Sequence, residues 1–263
     1  METGKTLQLP PFPAPQLLLA SLPLLVLSEY RMRSYGGTVL FKMLSSAAFL
    51  VGPLLTTSSE WSPYRRAITV GLLFSLTGDF FLLPSHKDFQ QERSQKGAIR
   101  KRDQNQDVST SFQAGVVAFA AAHIAYIHAF LQTSQRIAWP TFITTFVATV
   151  FFAKWLGVIY PPTSSSLASN FLNLRISRDM KPLVLVYALI ISSMLAVATS
   201  VSDSSEISQR AVGAAMFVVS DIFVAASAFG TTPSGSRGLM RIAVGYGLYF
   251  WGQMVIAGTV EGP

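Results

Sequence analysis

Asp79 and Asp221 are the only charged residues in two long apolar stretches, GLLFSLTGDFFLLP (71–84) and GAAMFVVSDIFVAASAFG (213–230). If these stretches cross a bilayer, each carboxylate costs about 2.5–3.5 kcal/mol to insert. Two such costs in one chain point to a functional site in a membrane interior. Two carboxyls in unequal surroundings can divide the work of an acid and a base. Intramembrane carboxyls also carry protons in transporters, so an enzyme and a proton-coupled or lipid-binding transporter are both open at this point. A purely structural membrane protein leaves two mid-span aspartates unexplained.

The elements that must position these residues follow from composition. Half of the 263 residues are hydrophobic and 13% are charged, against about 25% charged in an ordinary soluble domain. Mean hydropathy is +0.42. Charge-free runs cover 6–28, 43–59, 108–135, 137–153, 155–174, 182–202 and 242–260. A helix needs roughly 20 apolar residues to cross the hydrocarbon core. The pattern predicts an all-α, polytopic membrane protein, an eight-helix transmembrane bundle with spans near 10–29, 38–57, 66–84, 112–131, 138–159, 182–201, 209–229 and 240–259. The chain 1–263 reads as a single integral membrane domain. The first segment does not look like a cleaved signal peptide. Prolines at 10, 11, 13 and 15 precede it, and Glu29-Tyr30-Arg31 follows with no small-x-small site. No cysteine is present, which excludes disulfides, thiolate metal sites and a thiol nucleophile.

The net charge of +7 is read through the positive-inside rule rather than as nucleic-acid binding. With eight spans, Arg31, Arg33, Lys42, Lys87, Arg93, Lys96, Arg100, Lys101, Arg102, Lys154, Arg175, Arg178, Lys181, Arg237 and Arg241 fall on one side. Only Lys5, Arg65, Arg66, Arg136 and Arg210 fall on the other. The bias places both termini on the lumenal or outer face. In a eukaryotic cell the expected membrane is the endoplasmic reticulum.

Residues 85–111 are polar, charged and rich in Gln and Ser, and read as a flexible cytosolic loop. Residues 160–181 form a second loop and 231–239 a turn-forming linker. Gly71 precedes Asp79 by the same interval as Gly213 precedes Asp221, and Phe81 and Phe223 follow at matching offsets. Helices 3 and 7 run in the same direction, so the echo suggests a 4+4 internal duplication. On this topology Asp79 lies about five residues from the cytosolic end of its helix and Asp221 about eight, both in the cytosolic half of the bilayer at 1.5 Å per residue. Glu29, Lys42 and Tyr187 belong to helix ends on the same side.

Helix 4 carries His123 and Tyr126 on one face, with Phe119 a turn before them and His128 pointing elsewhere. A metal site needs three or so converging ligands. His123 with the two aspartates is the one combination available, and an interior hydrogen-bonded or substrate-binding histidine is the simpler reading. No metal and no other cofactor is expected. In helix 8, Tyr246, Tyr249 and Gln253 share a face, and Gln253 is deep enough to need a partner. Lys154 reads as a snorkelling side chain. For Lys42, a role opposite Glu29 and a role on a substrate phosphate are both open.

Taken in order, these residues resemble a known family. The series is Glu29, Lys42, Gly78-Asp79, then Phe112, Gly115, Phe119, His123 and Tyr126, then Pro182 and Tyr187, then Gly213, Ala214, Phe217, Ser220 and Asp221, and finally Gln253. It resembles the YhhN-like membrane family, which includes lysoplasmalogenases, over nearly all the predicted spans. The resemblance implies hydrolysis of the vinyl ether bond of a lysoplasmalogen, a lysophospholipid substrate met within the bilayer, to a fatty aldehyde and a glycerophospho-base. Vinyl ether cleavage starts with protonation of the β-carbon and passes through an oxocarbenium-like cation. It needs one carboxyl that holds a proton and one carboxylate, as in glycosidases. Asp79 and Asp221 are the expected catalytic pair. Glu29, Lys42, His123, Tyr126, Tyr187, Tyr249 and Gln253 are the expected substrate-binding residues.

Overall fold

The computed structural model describes residues 7–32, 34–55, 61–83, 109–133, 136–162, 170–201, 208–230 and 238–261. Within them the chain forms eight α-helices: α1 (Ala14–Leu27), α2 (Tyr35–Leu55), α3 (Pro63–Phe81), α4 (Thr110–Leu131), α5 (Trp139–Leu156), α6 (Met180–Ser200), α7 (Gln209–Ala228) and α8 (Leu239–Gly258). A π-helical turn, Ser28–Met32, continues α1. No strand occurs among the described residues; a single isolated bridge joins Leu174 to Gly230.

The helix ends have local causes. Side chains of Ser62, Ser109 and Ser208 accept backbone N–H groups at the starts of α3, α4 and α7, the usual N-cap arrangement. The Ser62 cap moves the start of α3 to residue 63, ahead of the expected 66. The same helix ends at Phe81 rather than 84, because Leu82 leaves helical geometry and Pro84 follows two residues on. Asp79 therefore sits in the last turn of α3, closer to the end than the sequence suggests. Likewise α1 begins at Ala14, not at residue 10, behind a run of prolines. Gly157 ends α5 in the left-handed conformation at φ 87°, three residues before the expected end; a β-carbon there would collide with Asn170. Lys154 does not simply snorkel, since its ammonium holds the carbonyls of Ile159 (3.1 Å) and Tyr160 (3.0 Å) beyond that turn. Of the expected 85–111 loop, residues 110 and 111 belong to α4 and most of the remainder lies outside the described residues.

Helices pack in the pairs α1–α2, α3–α4, α5–α6 and α7–α8, and these pairs meet through α2–α3, α6–α7, α4–α6 and α2–α8. The α3–α4 contact is close because glycines alternate with aromatics across it. Tyr126 lies against Gly71, Phe119 against Gly78, and Leu82 against Gly115. Polarity is inverted relative to a soluble bundle. Ser45, Ser46, Ser75, His123 and Gln253 are buried, whereas Leu73, Phe80, Val117, Ile124, Phe151 and Val186 are exposed. Such a large apolar exterior is unusual for a soluble monomer and fits a lipid environment. Among the described residues four helices, α2, α4, α6 and α7, are long and apolar enough to cross a membrane. The apolar character of α3 is diluted by Arg65, Arg66 and Asp79, that of α8 by Arg241, Gln253 and its glycines, and α1 is 14 residues long.

Candidate active site

Both aspartates line one cavity of about 420 Å³ between α2–α3 on one side and α6–α7 on the other, with α8 across it. Apart from Glu29, Lys42, Asp79, Asp221 and Arg241, its wall is mostly apolar and aromatic, including Phe112, Phe119, Tyr187, Tyr246 and Tyr249.

Asp79 is 2% exposed and is surrounded by donors. Tyr249 donates to its Oδ2 at 2.6 Å, and Ser46 to the same oxygen at 2.8 Å. Lys42 Nζ stands 3.7 Å from Oδ1 and reaches the Leu82 carbonyl at 3.5 Å. Lys42 and Ser46 lie four residues apart on α2, so they share the face turned to α3. The sequence left Lys42 between Glu29 and a substrate phosphate; within the protein the lysine pairs with Asp79. Glu29, carried on the π turn, accepts from Tyr246 at 2.6 Å.

Asp221 has a different setting. Tyr187 donates to its Oδ2 at 2.5 Å. Among the described residues Oδ1 has no partner, and no cation pairs with this carboxyl. Behind Tyr187, His123 Nε2 lies 3.0 Å from the phenol oxygen. Since Tyr187 gives its proton to Asp221, the histidine must be the donor to Tyr187, which puts the ring proton on Nε2. His123 Nδ1 is buried without a partner among the described residues.

The two carboxyl environments are joined by an aromatic cluster. The Phe217 ring packs edge-on to His123 with centroids 4.6 Å apart and to Tyr249 at 5.3 Å. Phe119 packs edge-on to Tyr249 at 5.9 Å. Phe217 precedes Asp221 by one turn of α7, so the same helix supplies the ring and the carboxyl.

The remaining expected residues sit behind the wall. Tyr126 donates to Gln253 Oε1 at 2.7 Å, and Gln253 Nε2 donates to Ser75 at 2.8 Å. Together with His123 they are fully buried and do not line the cavity. Gln253 finds the partner its depth requires, and Gly71 gives Tyr126 the room to provide it. Sequence reasoning passed over Ser46, Phe112 as a wall residue, and Arg241, which it counted only as a topology charge. The four-residue spacing from Lys42 was the available signal for Ser46. Among the described residues, no group of three or more His, Asp and Glu side chains is placed to hold a metal ion.

An apolar-faced helical bundle with a charged, aromatic-walled cavity defines a membrane-compatible protein. The chain belongs to the YhhN family, whose profile matches residues 37–260. It is 26% identical over 217 residues to a lysoplasmalogenase homolog of Dictyostelium discoideum, an alignment covering 75% of this chain and 63% of that relative. The chain thus spans a little under two thirds of the curated relative's length. No solved structure gives a significant match.

Proposed function

We propose that this protein is an intramembrane hydrolase of the lysoplasmalogenase type, which cleaves the vinyl ether bond of a lysophospholipid taken from the bilayer. The observation that carries this reading is the pair of unlike carboxyls on one cavity, one ringed by donors and a cation, the other held by a single phenol. Family membership and the name of the Dictyostelium relative support it.

In this reading the roles follow from the partners. Asp79, with an ammonium and two hydroxyl donors, is the carboxylate. Asp221, with Oδ1 left open to the cavity, is the acid. Asp221 protonates the β-carbon of the alkenyl chain, and the double bond's electrons form the new C–H bond. The cation left at the α-carbon, shared with the ether oxygen, lies beside the wall formed by Phe119 and Tyr249, next to the Asp79 carboxylate. Asp79 takes a proton from water as the water oxygen bonds to the α-carbon. As the bond from the α-carbon to the glycerol oxygen breaks, that oxygen takes the proton held by Asp79 and the hemiacetal hydroxyl gives its proton to Asp221, which leaves a fatty aldehyde and restores both carboxyls. Tyr249, Ser46 and Lys42 hold Asp79. Tyr187 and His123 hold Asp221. Tyr126, Gln253 and Ser75 brace the wall.

The membrane arrangement is part of the proposal. All eight helices cross the bilayer, both termini face the lumen or the outside, and the cavity lies toward the cytosolic side. In a eukaryotic cell the membrane is the endoplasmic reticulum. The helix contacts support a 4+4 duplication in part: moving every helix four places along the chain maps α1–α2 onto α5–α6, α3–α4 onto α7–α8 and α4–α6 onto α8–α2, whereas the α1–α8 and α3–α8 contacts have no counterpart of similar extent.

The test is direct. Purified protein is incubated with 1-alkenyl-, 1-alkyl- and 1-acyl-lysophospholipids, and aldehyde is measured. Release from the alkenyl lipid alone is the expected result. No aldehyde from any of the three would reject the hydrolase reading.

A further inference from the structure

Lys42 is buried and carries the one amine among the described residues that line the cavity. A lysine ammonium has three donors. One meets the Leu82 carbonyl at 3.5 Å and one faces Asp79 Oδ1 at 3.7 Å. Both contacts are long, and the third donor has no partner among the described residues. The two hydroxyl donors to Asp79, from Tyr249 and Ser46, go to Oδ2, so Oδ1 is turned to Lys42. The cavity therefore sets a loosely held amine against the open oxygen of a carboxylate, within a wall that is mostly apolar and aromatic. The other described lysines differ. Lys154 is fixed by two carbonyls at 3.1 and 3.0 Å, Lys181 stands over the Tyr160 ring, and neither lines the cavity.

A lysine amine with a neighbour that takes its proton condenses with carbonyl compounds. In the proposed reaction the aldehyde oxygen comes from the water that Asp79 activates. The carbonyl group is thus formed on the Asp79 side of the cavity, where Lys42 Nζ stands.

We propose that Lys42 is a reversible covalent capture site for long-chain aldehydes. Asp79 takes one proton from the ammonium, and the freed nitrogen lone pair forms the N–C bond as the carbonyl π pair moves to oxygen. That oxygen takes the proton back from Asp79, which gives a carbinolamine hydroxyl. Asp79 then takes a second proton from the nitrogen and passes it to the hydroxyl. The C–O bond breaks, water leaves, and the nitrogen lone pair forms the C=N bond of an iminium. Ammonium and aldehyde thus become iminium and water, with Asp79 ionised again and no oxidant or reductant consumed. The iminium keeps a positive charge beside Asp79, and intramembrane carboxylates serve as counter-ions of this kind. The attached chain fills the cavity, so accumulated aldehyde slows the site until water reverses the condensation. The proposal rests on the hydrolase reading for the source of the aldehyde; the capture itself needs only the cavity.

The experiment supplies the aldehyde directly. The full-length protein in detergent is incubated with hexadecanal and sodium cyanoborohydride, which reduces an iminium to a stable secondary amine, and the modified lysines are located by peptide mass mapping. Lys42 should be modified ahead of every other lysine. Butanal, which lacks a chain to cover the apolar wall, should show no such preference. Asp79→Asn should slow the modification of Lys42 by about 10²-fold or more, the scale of a lost general acid–base group, and leave the other lysines unchanged. Hexadecanal spread evenly over the lysines, or Lys42 left unmodified, would overturn the proposal in the wild-type protein without any variant. Equal preference with butanal would overturn the long-chain class, and an unchanged rate in Asp79→Asn would overturn the proton transfers. A Lys42 adduct in a protein that releases no aldehyde from the alkenyl lipid keeps the capture site and loses the hydrolase reading. Aldehyde release with Lys42 unmodified does the reverse, so the two failures are distinguishable.

Discussion

Tyr249 donates its hydroxyl proton to Asp79 across 2.6 Å, although the two residues lie 170 positions apart in the chain. The bond ties α8 to α3 at the centre of the cavity and shares Asp79 Oδ2 with Ser46. Removing the phenol oxygen should expose what it contributes. Tyr249→Phe keeps the ring that packs against Phe119 and Phe217. It should lower kcat about 10- to 100-fold, the scale of a hydrogen bond to a charged group, with KM little changed. A rise in KM at constant kcat would show that Tyr249 binds substrate without serving Asp79.

Asp79→Asn and Asp221→Asn should each abolish aldehyde release while the protein still elutes as a single species. Asparagine keeps the size and much of the hydrogen bonding and cannot exchange the proton. The loss should fall near 10²–10⁴-fold, typical of general acid–base groups. Residues that work as a unit are not additive, so the double variant should be little worse than either single one. Near-native turnover in either variant would reject the two-carboxylate mechanism.

The His123–Tyr187–Asp221 chain predicts coupling. Tyr187→Phe removes the donor to Asp221, and His123→Phe removes the group that orients that donor. Each should lower kcat, and the double variant should match Tyr187→Phe, because the histidine acts through the tyrosine. A double-mutant cycle measures this. Fully additive losses would mean that His123 acts by another route.

Lys42→Met should lower kcat more than it raises KM, because the ammonium stands 3.7 Å from Asp79 Oδ1. The opposite pattern, a KM effect alone, would restore the phosphate role.

Gly71→Ala should reduce stability by about 1–3 kcal/mol, the usual cost of overpacking. A β-carbon at residue 71 would strike the Tyr126 ring, which carries the Gln253–Ser75 network. Thermal unfolding checks this, and an unchanged midpoint would mean that Tyr126 can move aside freely.

Much of this arrangement was legible in the residues alone. Helices announce themselves through long apolar runs broken by Pro, Gly and Ser, so the eight segments and most of their limits could be read. Asp79 and Asp221 stood out because a charge in an apolar run has few harmless explanations. The partners of those aspartates were harder to see, for a physical reason. Ser46 and Tyr249 reach Asp79 only once α2, α3 and α8 are packed, and periodicity on one helix does not encode which neighbour it meets. Lys42 illustrates the limit: its depth was apparent, but choosing between Glu29, a phosphate and Asp79 requires the rotation of α2 about its own axis. Arg241 was hidden for the opposite reason, since a basic residue at a helix end already had a sufficient explanation in membrane topology.

The α8 contacts have a consequence for biogenesis. Asp79 emerges from the ribosome long before Tyr249, and at about 5–20 residues per second the 170-residue delay lasts about 10–30 s. Throughout that interval Asp79 has only Lys42 and Ser46 from its own side of the bundle. Tyr246 reaches Glu29 after a longer delay of 217 residues. The cavity therefore closes in a single late event, when α8 enters among α1, α2, α3 and α7. A chain stalled before that helix would leave Asp79 with Lys42 and Ser46 alone and Glu29 without its phenol donor.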